Sequence, residues 1–119
     1  MTSFLENDMN KEVMVLADLI KVYLRENIYG DICLQDVCAH FNLSKSCVCD
    51  AFCRATGSGI IEYYINMKIQ EAKNLIKQGD LNLSQISEKM GYASIHRFSR
   101  SFKSRTGMSP SKYKKTLEE

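Results

Sequence analysis

Residues 83–113 read LSQISEKMGYASIHRFSRSFKSRTGMSPSKY, and this stretch contains two short amphipathic segments with a glycine between them. In the first segment, Ile86 and Met90 are one helical turn apart. In the second segment, Phe98 and Phe102 repeat this spacing. Two short helices joined by a tight, glycine-containing turn are the sequence form of a helix-turn-helix unit, and the pattern predicts one here.

The second of these segments is basic at the positions that its phenylalanines do not use. It carries Arg97, Arg100, Lys103 and Arg105. Between residues 82 and 117, eight lysines and arginines stand against one glutamate, a net charge of +7. The rest of the chain therefore carries −5, because the whole chain has a net charge of +2. An apolar stripe backed by a basic stripe predicts a helix that packs on a core and faces an anionic partner.

Composition places the chain among ordinary globular proteins. Its 119 residues correspond to about one domain, with 45% apolar and 25% charged residues. No apolar run approaches the roughly 18 residues that a membrane span needs, so no membrane partner is expected. The N-terminus has no basic region preceding an apolar one, so no secretory signal is expected. The five cysteines are therefore predicted to be reduced thiols in the cytoplasm.

Apolar periodicity also predicts helices before residue 83. The first ten residues are polar and irregular, and we expect them to be flexible. Apolar residues at helical spacing then predict helices over four ranges: 12–27, 34–41, 44–56 and 60–77.

Capping residues mark several of the predicted helix ends. Ser44 is a candidate N-cap, and Gly57 fits the left-handed position that closes the same helix. Asn82, with a glutamine three residues later, resembles a capping box. Ser109 is a candidate N-cap followed by a proline at the first helical position, where a missing N–H costs nothing.

The chain contains an internal repeat. A shift of 50 residues pairs Ser44 with Ser94, Val48 with Phe98, Phe52 with Phe102, Thr56-Gly57 with Thr106-Gly107, and Tyr63 with Tyr113. Upstream of the turn the shift is 49, pairing Leu34 with Leu83, Val37 with Ile86, and Phe41 with Met90. A one-residue difference within a turn is readily tolerated. The repeat predicts two helix-turn-helix units, each too small to be stable alone.

We therefore expect four segments along the chain: a flexible segment 1–10, a first helix-turn-helix subdomain 11–57, a linker helix 58–79 and a second helix-turn-helix subdomain 80–119. A helix of about 18 residues spans roughly 27 Å. Recognition helices that read one face of B-DNA lie about 34 Å apart. With the width of the two units added, a monomer is expected to read adjacent major-groove segments.

These residues resemble the DNA-binding domain of the AraC/XylS family of bacterial transcription regulators. In the second half the match comprises Ile86, Gly91-Tyr92, Phe98-Ser99-Arg100, Phe102-Lys103, Gly107, Ser109-Pro110 and Tyr113. In the first half it comprises Leu34, Val37, Leu43-Ser44, Phe52, Thr56-Gly57 and residues 64–72. The resemblance implies an all-α, homeodomain-like fold with seven helices, two helix-turn-helix subdomains and a long linker helix.

The resemblance also implies partners. It implies sequence-specific binding to double-stranded promoter DNA, usually for activation, together with RNA polymerase as a protein partner. A small-molecule effector or phosphorelay input is expected only through a domain that this sequence does not contain. No cofactor and no metal is expected.

The family's base-reading face corresponds, in the second unit, to Ile95, His96, Arg97, Ser99 and Arg100. Arginine can fork onto guanine O6 and N7, and histidine can donate to the same edge. The alternative interpretation is a solvated basic face, which is common on surface helices. Ile95 either contacts a thymine methyl group or is a simple exposed apolar residue.

In the first unit, the corresponding positions hold Ser46, Cys49 and Asp50, which are weaker readers. A carboxylate repels phosphates, unless it accepts a hydrogen bond from a cytosine N4 amine. Our hypothesis is that the second unit carries most of the specificity and the first mainly positions the domain. Phosphate contacts are expected from Ser44, Lys45, Arg54, Lys68, Ser94 and Lys103, with a structural role as the other expectation for Lys68.

Two alternatives remain at the level of the sequence. All five cysteines lie in the first unit, and Cys49 and Cys53 are one helical turn apart, which suits a thiol- or metal-responsive regulator. Against a metal site, no C-x-x-C pair exists. The carboxylate of Asp50 suits a protein-interaction module with a weak first DNA-reading unit. Catalysis is disfavoured because the two histidines, His40 and His96, stand in no catalytic motif, and the chain is not expected to be an enzyme.

Overall fold

The computed structural model describes residues 2–118, with side chains from residue 11 onward. The described residues form seven α-helices and no strand, in the order α1 (Thr2–Glu26), α2 (Leu34–Phe41), α3 (Lys45–Thr56), α4 (Ile60–Gln78), α5 (Leu83–Lys89), α6 (Ile95–Thr106) and α7 (Pro110–Glu118). The predicted all-α fold is confirmed. Helices α2 to α4 agree with the predicted ranges to within one residue.

Helix α1 begins earlier than the sequence pattern predicted. The expected flexible segment covered residues 1–10, but the backbone of residues 2–10 is helical, and Met1 lies outside the described residues. The chain has no proline or glycine before Gly30, so neither of the two residues that most strongly disfavour a helix interrupts it. The polar composition of this segment therefore did not indicate its helical conformation.

Contacts divide the chain into two units. Unit 1 comprises the residues up to Asn27 together with Ile32–Tyr64, and unit 2 comprises Ile28–Asp31 together with the residues from Ile65 onward. The division falls within α4, so the expected linker segment 58–79 is shared between the units and is not a separate part. The short connection between α1 and α2 belongs to unit 2, which the sequence pattern did not indicate.

The core of unit 1 is formed where α1 and α2 pack against α3. Its buried apolar residues are Ala17, Ile20, Leu24, Val37, Val48, Ala51, Phe52, Ile60 and Tyr64. The hydroxyl of Tyr64 donates to the carbonyl oxygen of Asn27 at 2.7 Å, which satisfies the polar atom of an otherwise buried ring. The ring of Phe52 packs edge-on against that of Tyr63, with 5.1 Å between centroids.

The core of unit 2 is formed by α4, α5 and α6. Its buried residues are Ile69, Ala72, Leu75, Ile76, Ile86, Met90, Phe98 and Phe102. Phe98 and Phe102 are fully buried, as predicted. The ring of Tyr113 on α7 lies 5.5 Å from that of Phe102, so the last helix also contributes to this core.

The internal repeat is confirmed at the level of helix ends. Helices α3 and α6 have the same length, and both their first and last residues are 50 positions apart. The side chains of Ser44 and Ser94 each accept a hydrogen bond at 3.2 Å from the backbone amide three residues later. Gly57 and Gly107 close the two helices with φ values of +76° and +86°. Equivalent residues therefore cap the start and the end of the corresponding helix in both units.

The turn between α5 and α6 requires its glycine for two reasons. Gly91 has a φ of +81°, which L side chains rarely adopt. A Cβ atom at this position would also lie 2.9 Å from the carbonyl oxygen of Gly30 and 3.0 Å from that of Tyr29. The equivalent residue in unit 1 is Asn42, with a φ of +54°, a conformation that asparagine tolerates.

Candidate nucleic-acid interface

Helix α6 presents its basic residues on the side opposite its buried phenylalanines. Since Phe98 and Phe102 point into the core of unit 2, Arg97, Arg100 and Lys103 are left exposed. Among the predicted base readers, His96 is also exposed, Ile95 is 36% exposed, and Ser99 is half-buried. The structure thus brings four of the five predicted readers to the surface and partly withdraws Ser99.

Two hydrogen bonds to Ser94 stabilise the first turn of α6. The Oγ atom of Ser94 accepts from the amide of Arg97, and the backbone carbonyl of Ser94 accepts from the hydroxyl of Ser87 at 3.2 Å. Ser87 is a buried residue of α5, so this bond ties the start of α6 to the preceding helix. The remaining N-terminal amides of α6 carry the positive end of the helix dipole, which suits them to an anionic ligand.

Helix α3 presents a different surface. Ser46 and Asp50 are exposed, and Cys49 is half-buried. One carboxylate oxygen of Asp50, Oδ2, lies 3.2 Å from Nε of Arg54, with the two side chains 62% and 59% exposed. An exposed pair at this helical spacing contributes only about 0.3–0.5 kcal/mol. Arg54, predicted to hold a phosphate, is therefore paired in the free protein by an interaction weak enough to exchange.

The other phosphate candidates of unit 1 are available at the surface. Lys45 is the first residue of α3 and is exposed. The hydroxyl oxygen of Ser44 accepts from the amide of Cys47, so this serine has the same capping role as its equivalent in unit 2. These residues give unit 1 a basic and amide-lined helix start.

The prediction that Lys68 contacts a phosphate is wrong. Lys68 is 5% exposed, and its Nζ atom donates to the backbone carbonyls of Gly30 and Met90, the latter at 2.5 Å. Burial lowers the pKa of Lys68, and the charge of Asp31 partly opposes this shift. The structural role, which was the other expectation for this residue, is the one observed.

A signal for the burial of Lys68 was present in the sequence. On α4 the apolar stripe includes Ile61, Ile65, Ile69 and Ala72, and position 68 falls on the same side. A lysine on the buried side of a helix must satisfy its ammonium group internally, because an unpaired buried charge is costly. Which carbonyls it would find was not evident from the pattern.

The loop of residues 28–31 is a part of unit 2 that sequence reasoning missed. Nζ of Lys89 lies 5.0 Å from the centroid of the Tyr29 ring, and desolvation together with nearby Glu71 raises the pKa of Tyr29. The backbone of this loop also contacts Gly91. These contacts support the turn that precedes α6, and no local sequence pattern indicates them.

The five cysteines are free thiols. Cys33, Cys47 and Cys53 are exposed, whereas Cys38 and Cys49 are half-buried. Among the residues that the structure describes, no group of three histidines, cysteines or acidic residues could hold a metal ion. Cys33 is the N-cap of α2, and its backbone amide donates to the carboxylate of Asp36 at 2.8 Å, which lowers the pKa of Asp36.

The comparison with known proteins identifies the family. A family model described as a helix-turn-helix domain matches residues 37–116. The chain belongs to the AraC-type helix-turn-helix family. Within this AraC-type domain, the matched range begins in α2 and ends in α7, so it includes α3 and α6 together with the helices between them.

Individual proteins agree with this assignment. The HTH-type transcriptional regulator YfiF of Bacillus subtilis is 32% identical over 91 residues, which is 76% of this chain and 29% of that protein. The C-terminal domain of AraT, a response regulator from Geobacillus stearothermophilus, superposes with a TM-score of 0.81 at 24% identity, over 85% of this chain and 84% of that one. The DNA-binding domain of AdpA, solved with a target DNA, superposes with a TM-score of 0.77 at 18% identity, over 84% and 90%.

The AraC-type chain spans about a third of the length of the curated relatives that it matches. Within the described residues, no helix is both long and apolar enough to cross a membrane.

Proposed function

We propose that this AraC-type domain binds double-stranded promoter DNA sequence-specifically within a bacterial transcription regulator. It reads adjacent major-groove segments with α3 and α6, and α6 carries most of the specificity. The observation that supports this best is the orientation of α6, which buries Phe98 and Phe102 and leaves Arg97 and Arg100 exposed. A helix that is anchored by buried phenylalanines and carries guanidinium groups on its exposed side suits direct readout of guanine.

Each exposed residue of α6 has a distinct role in this proposal. Arg97 and Arg100 fork onto guanine O6 and N7, and His96 donates to a base edge or to a phosphate. Ile95 contacts a thymine methyl group, for which its partly exposed side chain is suited. Ser99 is half-buried and makes at most a short contact.

Phosphates are held at the starts of both recognition helices. The amides after Ser94 and Ser44 bind backbone phosphates, with the side chain of Lys45 beside those of α3. Lys103, in the last turn of α6, takes a separate phosphate. Arg54 keeps its Nε atom on Asp50 and offers its terminal guanidinium nitrogens to a further phosphate. These contacts set the register of the domain but do not read sequence.

The test is selection of bound sequences from a random duplex pool at a fixed salt concentration. The wild-type chain should select one site covering two major-groove segments. Arg97→Ala and Arg100→Ala should each relax the preference at one base pair, costing roughly 1–3 kcal/mol there. Lys112→Ala, which removes an exposed positive charge from α7, is the matched control and should leave the base preferences unchanged.

The assignment of specificity to α6 has a clear contrary outcome. It is wrong if Arg97→Ala and Arg100→Ala retain every base preference while changes at Ser46 or Asp50 abolish them. It is also wrong if the wild-type chain binds all duplexes equally.

The wider setting is also a proposal. We infer that the regulator acts in the cytoplasm and contacts RNA polymerase at the promoter. Small-molecule or phosphorelay input enters through another domain, in line with the greater length of the relatives. Transcription from a template carrying the selected site, with purified RNA polymerase and the full-length regulator, tests this: an unchanged transcript yield would contradict it.

A further inference from the structure

The exposed side of α3 differs in charge from that of α6 at equivalent positions. The repeat places Asp50 where α6 has Arg100, and Cys47 and Cys53 where it has Arg97 and Lys103. The two helices have equal length and equivalent caps, so each of these positions lies on the corresponding side of its own helix. A negatively charged group therefore occupies a position that, in the second unit, carries a guanidinium group.

In the free protein the carboxylate of Asp50 is paired within its own helix. Nε of Arg54, one turn further along α3, lies 3.2 Å from its Oδ2 atom. This pair offsets the negative charge that Asp50 would otherwise present to phosphates. It engages Oδ2 and leaves Oδ1 to accept a hydrogen bond from a group outside the helix, and the side chain is 62% exposed.

Base chemistry restricts the donor that such a carboxylate can use. An ionised carboxylate only accepts hydrogen bonds. In the major groove, guanine N7 and O6 and thymine O4 are acceptors and repel it. Adenine offers an N6 amine, but its N7 acceptor lies beside that amine. Cytosine N4 is therefore the donor whose surroundings suit a carboxylate best.

We propose that Asp50 is a specificity-determining residue of the first unit, and that its carboxylate, oriented by Arg54, accepts a hydrogen bond from the N4 amine of one cytosine. The inference rests on the proposed function and deepens it, because it gives α3 a base preference of its own. One such contact should favour cytosine over the other bases at this position by about tenfold.

The experiment compares selected sites for the wild type, Asp50→Asn and Asp50→Ala at the same salt concentration. The wild type should require a cytosine in the half of the site that α3 contacts. Asp50→Asn should change that single preference to adenine, because an amide can bond adenine N6 and N7 together. Asp50→Ala should lose the preference at this position alone. Competition binding with duplexes that differ at the one base pair then measures the tenfold ratio.

Two further variants distinguish base recognition by Asp50 from base recognition by Arg54. Arg54→Lys keeps the positive charge but removes the planar group that orients the carboxylate, so the cytosine preference should weaken without disappearing. Arg100→Ala should leave the cytosine preference intact and change a base in the other half. Thermal melting should show all variants folded, since Asp50 and Arg54 are both exposed.

Four outcomes would overturn the inference. One is a guanine preference that Arg54→Ala abolishes and Asp50→Asn retains, which would make Arg54 the reader. Another is an equal rise in affinity for every duplex in Asp50→Ala, which would mean that Asp50 only repels phosphates. A selected site whose bases are unaffected by Asp50 changes also overturns it, while the proposed function stands. A wild type without any sequence preference overturns both.

Discussion

At the scale of single residues, Lys68 shows how one buried charge can join distant parts of a chain. Its ammonium group donates to carbonyls of Gly30 and Met90, which are 60 residues apart in the sequence. One carbonyl lies in the connection after α1, and the other lies just before the turn that leads into α6. The residue therefore supports, from within the core, the turn that leads into α6.

Lys68→Met should destabilise the domain by about 2–3 kcal/mol. The methionine fits the apolar stem but leaves two buried carbonyls without their charged donor. Urea unfolding monitored by circular dichroism measures the loss. Lys77→Met, on the exposed side of the same helix, is the control and should change stability by less than about 0.5 kcal/mol. Equal effects of the two variants would contradict the structural role.

The same residue predicts a pH dependence. Burial lowers the pKa of Lys68 in the folded state from its usual 10.5, so the unfolded state binds more protons between the two values. The contribution of Lys68 to the free energy of unfolding therefore increases as the pH rises towards 10.5. The difference in unfolding free energy between the wild type and Lys68→Met should grow across that range. Parallel curves for the two proteins would contradict the prediction.

A second residue-scale prediction concerns Gly91. Gly91→Ala should destabilise the domain more than Gly79→Ala, although both residues have similar positive φ values of +81° and +76°. The backbone strain, about 1–2 kcal/mol, is common to both. At Gly91 a Cβ also meets two backbone carbonyl oxygens, whereas at Gly79 it meets nothing within 4 Å. Comparison of the urea midpoints of the two variants tests this. Equal losses of stability would mean that the loop of residues 28–31 moves aside to accommodate the added methyl group.

At the scale of elements, α3 and α6 have the same length and equivalent caps but differ in their exposed side chains. Both begin after a capping serine, bury aromatic or branched residues on one side, and end at a glycine. A threonine in each last turn donates to the carbonyl four residues earlier at 2.8 Å. The scaffold is thus common to both units, and only the exposed side chains distinguish what each helix presents.

The caps predict matched effects in the two units. Ser44→Ala and Ser94→Ala should each destabilise the domain by about 1 kcal/mol, because each leaves an amide in the first helical turn without its acceptor. Replacement of either serine by aspartate should restore most of the stability. Urea unfolding of all four variants provides the measurement. A loss at one serine but not at the other would show that the two helix starts are not equivalent.

At the scale of the whole molecule, charge is divided unequally. Unit 1 contains five basic and eight acidic residues, a net charge of −3, and unit 2 contains eleven and six, a net charge of +5. Attraction to a polyanion therefore comes mainly from unit 2. The net negative charge of unit 1 opposes its approach to a polyanion, which agrees with the proposed division of specificity.

The charge division predicts the salt dependence of DNA binding. Each phosphate contact that is removed should lower the slope of log K against log salt by about 1. Lys103→Gln should show this change, and Lys11→Gln, which removes an exposed charge from α1, should not. Fluorescence anisotropy titrations at several salt concentrations measure both slopes. Equal slopes for the wild type and Lys103→Gln would exclude a phosphate contact at this residue.

The sequence by itself determined the helices from α2 onward, the repeat and the burial of Phe98 and Phe102. These features depend on interactions within one or two helical turns, such as capping and apolar spacing. Interactions of this range can be recognised from the order of residues in the sequence. The exposed positions of Arg97 and Arg100 follow from the same periodicity. The basic face of the candidate site was for this reason predictable.

Only the tertiary structure decided the partners of Lys68, the approach of Gly30 to Gly91, the half-burial of Ser99 and the division of the chain within α4. Each of these depends on atoms brought together from distant parts of the sequence or on the detailed shape of a packed surface. Periodicity assigns a residue to a side of a helix, but it does not specify which group lies opposite. The pairing of those groups arises when the cores form, because buried polar atoms must then find partners within the protein.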